Sequence, residues 1–182
     1  MAWTYKTGDA KRKDFAVAFL PGVKTLEEAL ALTKEKVELI GKGIDDMPIS
    51  MNAETEESQD VLGNNNYDIV SYAPSMSVDP VKVNGESKYA QFIDEAFENQ
   101  SVLSELHAWY LCFKAYKINE TNAMRAWLQE GVVELSDFAS GLNGVSTSHT
   151  VHFVGPRTLG ALTATENAMS FAKDEAAEDE EL

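Results

Sequence analysis

Tyr67-Asp-Ile-Val-Ser-Tyr-Ala-Pro-Ser-Met-Ser-Val-Asp-Pro80, followed by Val81-Lys-Val-Asn-Gly85 and Glu86-Ser-Lys-Tyr-Ala-Gln-Phe-Ile-Asp-Glu-Ala-Phe97, joins a strand to a short helix. Asp68, Val70, Tyr72, Pro74, Met76 and Val78 fall on one side of an alternating pattern. Ser71, Ala73, Ser75 and Ser77 fall on the other, so a bulky face opposes a small polar one, the period of a half-buried strand. Pro74 has no N–H to give a ladder, so the strand breaks, bulges or lies at an edge there. Asp79-Pro80 and Asn84-Gly85 read as turns. Ser87 then caps a helix over 87–98 whose apolar stripe is Tyr89, Phe92, Ile93, Ala96 and Phe97, with Asn99 as its stop.

Outward from this unit, a chain of 182 residues with 44% hydrophobic content is sized for one domain with a real core. A single cysteine, Cys112, excludes an internal disulfide. No run approaches the ~20 apolar residues of a membrane helix, and Phe15 to Leu20 is short for a signal core. Folding in a cytoplasm, away from membranes, is the expectation.

The net charge is −15. Lys6, Lys11, Arg12 and Lys13 make the N-terminus basic, while six acids against Lys173 make the tail, 173–182, acidic. A chain of this sign repels phosphates and does not bind nucleic acid by neutralising them.

Residues 1–14 read as an arm without a core, whose Trp3 and Tyr5 suit docking. The domain proper is placed at 15–172. Phe15 to Leu20 reads as a strand ending at Pro21-Gly22. Thr25 and Glu28 form a capping box for a short helix or turn near 26–34, and a strand follows near 36–44. Residues 45–66 are polar and acidic without a clear period, a long projecting loop whose composition suits ordering on assembly. Leu106 to Ile118 carries apolar residues on both faces, a central strand covered on both sides. A further strand or pair occupies 123–138, with a bulge at Gly131. Ala139 to Gly144 is a turn, Val145 to Val154 alternates cleanly, Gly155 to Gly160 is a second turn, and Leu162 to Phe171 closes the fold. The sum is mainly β (α+β): a sandwich or partial barrel with one flanking helix.

Chemistry is sparse. His149 and His152, three apart on a strand, point to opposite faces and do not share an ion. Asp60 to Asp68 is oxygen-rich but lacks the ligand spacing of an EF-hand. Cys112 has no neighbouring base and sits in the most apolar strand, so it reads as a buried thiol. Ser146 and Ser148 face away from His149. Phosphate loops and nucleotide fingerprints are absent from the sequence. Glu54, Glu56, Glu57 and Asp60 cluster in the 45–66 loop as a solvated face, an interface rim or an acid/base pair. No catalytic residue, metal or cofactor is assigned.

The order of these features resembles the major tail protein, or tail tube protein, of long-tailed bacteriophages. The matching parts are Val37 to Ile44, the acidic Glu54 to Asp60, the Ser77-Val-Asp-Pro80 strand end leading into the Tyr89 to Phe97 helix, Ala123 to Leu128, and Val151 to Gly160; the first 35 residues have no counterpart. The resemblance implies a β-sandwich with a flanking helix whose strands complete an inter-subunit barrel. It implies hexameric rings stacked into a tube that delivers genome DNA. Partners would be further copies, tape-measure, terminator and baseplate proteins, in a virion tail assembled in the host cytoplasm.

On that reading Glu54, Glu56, Glu57 and Asp60 form the ring-stacking loop, and Trp3, Tyr5, Lys11, Arg12 and Lys13 make the arm's contacts. Ser71, Ser75, Ser77, Ser146, Ser148 and Thr150 are candidates for lumen lining, against ordinary solvent exposure. The alternative is a monomeric β-sandwich module gripping a partner with the 45–66 loop, and an enzyme ranks last.

Overall fold

The structure is a computed structural model that describes residues 2–42, 44, 46–59, 61–141 and 144–174. Its strands are β1 (Thr4–Tyr5), β2 (Phe15–Leu20), β3 (Glu38–Ile40), β4 (Ile49–Ser50), β5 (Ala53–Gln59), β6 (Asn65–Tyr72), β7 (Ser75–Lys82), β8 (His107–Ile118), β9 (Met124–Gly141), β10 (Gly144–Ala164) and β11 (Met169–Lys173). Its helices are α1 (Leu26–Leu30) and α2 (Lys88–Glu98). One antiparallel sheet runs β3-β2-β8-β9-β10-β7-β4, with β1 added to β8 and β11 to β10, while β5 and β6 pair only with each other. The fold is mainly β, a partial barrel with a flanking helix.

Alternation in the central strands sends side chains into two cores. Val17 and Phe19 of β2, Tyr110 and Cys112 of β8, Val133 of β9, Val151 and Phe153 of β10, and Met76 and Val78 of β7 meet Tyr89, Ala90 and Ile93 of α2. Ile40 of β3 joins the same cluster and Ile49 of β4 packs against it. A single core touched by every strand from one end of the sheet to the other requires the sheet to curl around α2. The opposite faces of β2, β8 and β9 carry Ala18, Leu20, Leu111, Ala126 and Leu128 into a second core, with Ala29 of α1, Leu162 and Phe171. The central strand β8 is therefore covered on both sides.

Both helices are held by local chemistry. Thr25 Oγ1 accepts from Glu28 N at 3.3 Å, and Glu28 Oε2 accepts from Thr25 N at 3.2 Å and Lys24 N at 2.8 Å. These amides hold the Glu28 carboxyl below its usual range. Ser87 Oγ accepts from Ala90 N at 3.0 Å at the start of α2, and Asn99 closes it. Glu38 of β3 adds a long-range cap: its carboxylate accepts from Ser87 Oγ at 2.6 Å, Lys88 N at 2.8 Å and Tyr89 N at 3.3 Å. A carboxylate at a helix N-terminus satisfies orphan amides and complements the dipole, tying the sheet's edge to the helix.

Several readings of the sequence are corrected. The 67–78 segment is not one strand: β6 is exposed throughout, and β7 starts afresh after Pro74 with Met76 and Val78 buried. At the break Pro74 has no N–H to give, and across it Asn52 sits in the left-handed region at φ 45°. Asp79-Pro80 is not a turn but a cis peptide inside β7. The 45–66 segment is not a loop, since β4, β5 and the start of β6 lie within it. Gly155 to Gly160 is not a turn either. β10 continues through it, and its pairing with β9 merely shifts register between Val154 and Thr158. The bulge assigned to Gly131 lies elsewhere, because Gly131 pairs in register with both Ala108 and Phe153. Gly131 is required by close approach: a Cβ there would meet Val151 Cγ1 at 2.5 Å and Tyr110 Cε2 at 2.9 Å.

A buried polar pair lies within the α2 core. The Tyr89 hydroxyl and His149 Nε2 are 2.5 Å apart. His149 is 1% exposed and its Nδ1 has no protein partner. Burial lowers the imidazole from 6.5 to about 4 and pushes the Tyr89 phenol up. On the exposed side of the same strand His152 meets Glu134 at 2.6 Å, so the two histidines do diverge.

Two predictions follow from this packing. Gly131→Ala should cost about 1–3 kcal/mol of stability, read as a lowered urea midpoint, because Val151 and Tyr110 are fixed in the core. His149 binds its proton more weakly folded than unfolded, so stability is complete above pH 6.5 and falls as pH drops toward 4. Relative to His149→Gln, the native chain should lose about 3 kcal/mol between pH 7 and pH 4 in urea melts, the equivalent of the shift.

Candidate assembly surface

β5 and β6 form a ribbon that leaves the body of the protein. Its base is a continuation of the β4–β7 pair, in which Ile49 opposes Met76 and Ser50 opposes Ser75. Across the break, Ala73 N donates to Asn52 O at 3.3 Å, and Asn52 Nδ2 donates to Ala73 O and Ser75 Oγ, both at 2.9 Å. The two strands therefore leave the sheet already paired. At ~3.4 Å per residue the ribbon reaches about 24 Å beyond that base.

Register sorts its side chains. Thr55 opposes Ile69, Glu57 opposes Tyr67 and Ala53 opposes Tyr72, which gathers Tyr67, Ile69 and Tyr72 on one face. Glu54 opposes Ser71 and Glu56 opposes Asp68 on the other, and the register shift leaves Val70 as the extra residue. Ser71 Oγ donates to Glu54 Oε2 at 2.8 Å. Like charges directly opposite, as at Glu56 and Asp68, disfavour a pair, and an isolated two-stranded hairpin is marginal in water. Tyr67, Ile69, Val70 and Tyr72 are nonetheless exposed. At the tip Val61 is 102% exposed and Leu62 84%.

Glu54, Glu56 and Glu57 are thus brought together on one exposed ribbon. Asp60 lies outside the described residues, as does the acidic tail from 175 onward. The apolar tip was not singled out from sequence. Its signal was a pair of aliphatic residues, Val61-Leu62, inside an otherwise polar stretch.

The proposed lumen residues separate into two places. Ser75 and Ser77 of β7 and Ser146, Ser148 and Thr150 of β10 share the outer face of the curled sheet, opposite the α2 core, where Thr150 pairs with Ser77. Ser148 Oγ donates to Asp79 Oδ1, and Glu134 and Asp137 of β9 pair with Thr150 and Ser148. Small hydroxyls and carboxylates therefore dominate this surface, with Lys82 opposite Ser146. Ser71 is not part of it and stands on the ribbon.

The helix stripe is also divided. Tyr89, Ile93 and Ala96 are buried, and Phe92 stacks on Phe19 at 5.3 Å. Phe97 is not in the core: it is 47% exposed and stacks at 4.4 Å on Phe138, itself exposed.

The N-terminal residues dock on their own chain. Thr4 and Tyr5 pair with Ile118 and Lys117, Tyr5 stacks on Tyr116 at 6.3 Å, and Arg125 lies over Trp3 at 4.8 Å. Arg125 also pairs with Asp174, which gathers the two ends of the described chain at one corner. Lys11, Arg12 and Lys13 stay exposed on the turn before β2, where Lys11 N donates to Asp14 Oδ2 at 2.7 Å.

Beside that turn is a hollow of about 530 Å³. It lies where the curl of the sheet stays open, between β3 and the segment leading to β4. Cys112 is fully buried and its thiol is pushed up to about 12 by burial, as an inert core thiol. Among the described residues no group of three or more His, Cys, Asp or Glu side chains could hold a metal ion.

No protein-family model matches the chain, and no curated protein matches it. Among solved structures it is similar to a chain of the cryo-EM structure of the anti-feeding prophage (AFP) baseplate, 6-fold symmetrised, at 14% sequence identity and a TM-score of 0.40. That match covers 84% of this chain and 96% of the other. A likeness at that level says nothing of function.

Proposed function

We propose that this chain is a structural subunit of a phage tail tube, assembling with copies of itself into stacked hexameric rings through which genome DNA passes. The observation that carries the reading is the β5–β6 ribbon, a marginal hairpin whose aromatic face and aliphatic tip stand in water. Apolar surface of this kind marks an interaction site, and burying it against a neighbour would supply what the isolated ribbon lacks. A ribbon on one side of a subunit and its receiver on another make a head-to-tail contact, which closes into rings or propagates.

The sheet supports the same reading. β3 and β4 end it with no further partner strand among the described residues, and neighbours in a ring would extend these edges into a shared barrel. The outer face of β7 and β10 would then line the channel, with Ser75, Ser77, Ser146, Ser148 and Thr150 beside Asp79, Glu134 and Asp137. Carboxylates there repel phosphates within ~8–10 Å, so DNA slides without adhering. Tape-measure, terminator and baseplate proteins would meet the ends of the tube, in a virion tail built in the host cytoplasm. No step of this role calls on an active site or a cofactor.

The decisive experiment joins Asn52 to Ala73 through two glycines in place of residues 53–72. Electron microscopy and sedimentation of the full chain should show rings or tubes, and the shortened chain should sediment as a monomer. Its melting temperature should stay within a few degrees of the parent, because no described ribbon side chain belongs to either core. A full chain that remains monomeric at high concentration, yet captures another protein through the ribbon, would replace assembly with a binding module.

A further inference from the structure

We propose that the hollow between the Arg12–Lys13 turn and β3 is the socket that receives the β5–β6 tip of a neighbouring copy. This assignment rests on the assembly reading and names the partner surface that reading requires. The socket's wall is apolar: Phe15, Leu39, Ile44 and Met47 line it, with Arg12 and Lys13 beside them. Leu39 is 58% exposed on the free edge of the sheet. A space of about 530 Å³ is ample for two aliphatic side chains and the turn that carries them.

Charge selects this occupant. Residues 53–72 contain five acids (Glu54, Glu56, Glu57, Asp60 and Asp68) and no lysine or arginine. Residues 6–14 contain Lys6, Lys11, Arg12 and Lys13 against Asp9 and Asp14. Among its described lining residues Arg12 and Lys13 stand against the one carboxylate of Asp46. Another exposed apolar feature, the Phe97–Phe138 stack, is flanked in sequence by Glu98 and Asp137, and the exposed Val102–Leu103 pair is followed by Glu105, so neither attracts an acidic ribbon. Complementary charge steers encounter and fixes register, while the apolar tip supplies the burial. The socket of one subunit does not take its own ribbon: none of its described lining residues comes from 53–72, and Val61 stands fully exposed. The contact is therefore between copies.

Disulfide capture tests this directly. A Leu62→Cys chain is mixed with a Leu39→Cys chain under mild oxidation, each checked for native circular dichroism. The buried Cys112, with its thiol raised to about 12, stays out of the exchange. The mixture should give a cross-linked dimer that neither variant gives alone. Separately, Arg12→Glu with Lys13→Glu should weaken association about tenfold or more, as should Glu56→Lys with Glu57→Lys, and all four changes in one chain should restore it. If particles form without the cross-link, and charge reversal leaves association unchanged, the socket is overturned while assembly stands. If the unmodified chain forms no particles at all, the assembly reading itself fails and the socket with it.

Discussion

The pairing of β9 with β10 is the constraint on which the rest of the molecule depends. These strands have 18 and 21 residues, far beyond the usual strand. A ladder of that length cannot stay flat, because twist accumulates along it. It bends where register shifts, between Ser148 and His149 and between Val154 and Thr158. The bend lets one strand serve two cores: Val151 and Phe153 of β10 face α2, and Leu162 faces α1 and β11. Gly131 sits inside the curve, where its missing side chain lets Tyr110 and Val151 close over the backbone.

Because the sheet curls around α2 without closing, it leaves a seam between its two ends. On one side of that seam β3 holds the helix through Glu38, whose carboxylate is occupied by Ser87, Lys88 and Tyr89. On the other side the β4–β7 pair runs on past Asn52 and Pro74 into the exposed ribbon. Core formation thus fixes the base of the ribbon, the free sheet edge and the hollow beside Arg12 and Lys13 as neighbouring features of one seam. The fold is satisfied internally at Tyr89, Ile93 and Leu111 and leaves apolar surface in water at Tyr67, Val61 and Leu39. That division, with a complete core and an incomplete surface, is the physical basis for reading the chain as a part of something larger.

Polar segments were the least legible in the sequence. Ala-Glu-Thr-Glu-Glu-Ser-Gln from Ala53 to Gln59 has no apolar period, so nothing marks it as a strand. It becomes one because Asn65 to Tyr72 pairs with it, and backbone pairing leaves no trace in the composition of one partner. Val70, Tyr72, Met76 and Val78 gave the alternation of a half-buried strand, yet only Met76 and Val78 enter the core while Val70 and Tyr72 stand exposed, since periodicity reports amphipathicity and not what covers it. Gly155-Pro156 read as punctuation, although a long strand can carry such residues through a register shift when its partner continues on the other side. The basic turn at Lys11 to Lys13 was visible as charge, while its place beside Leu39 and Met47 was not.

The sequence alone determined what depends on near neighbours and on side-chain period: the Thr25–Glu28 box, the Ser87 cap and Asn99 stop of α2, the apolar β2, the doubly covered β8, the opposed His149 and His152, and the acidic balance of the whole chain. Only the tertiary structure decided the rest: the curl of the sheet, the pairing of β3 with the start of α2, the burial of Tyr89 against His149, the docking of Trp3 on Arg125, and the departure of the ribbon from the body. Capping and alternation act over one to eight residues, where the chain itself supplies the partner. Curl, hollow and ribbon depend on contacts between residues many tens of positions apart, and those are set by how the β9–β10 ladder bends.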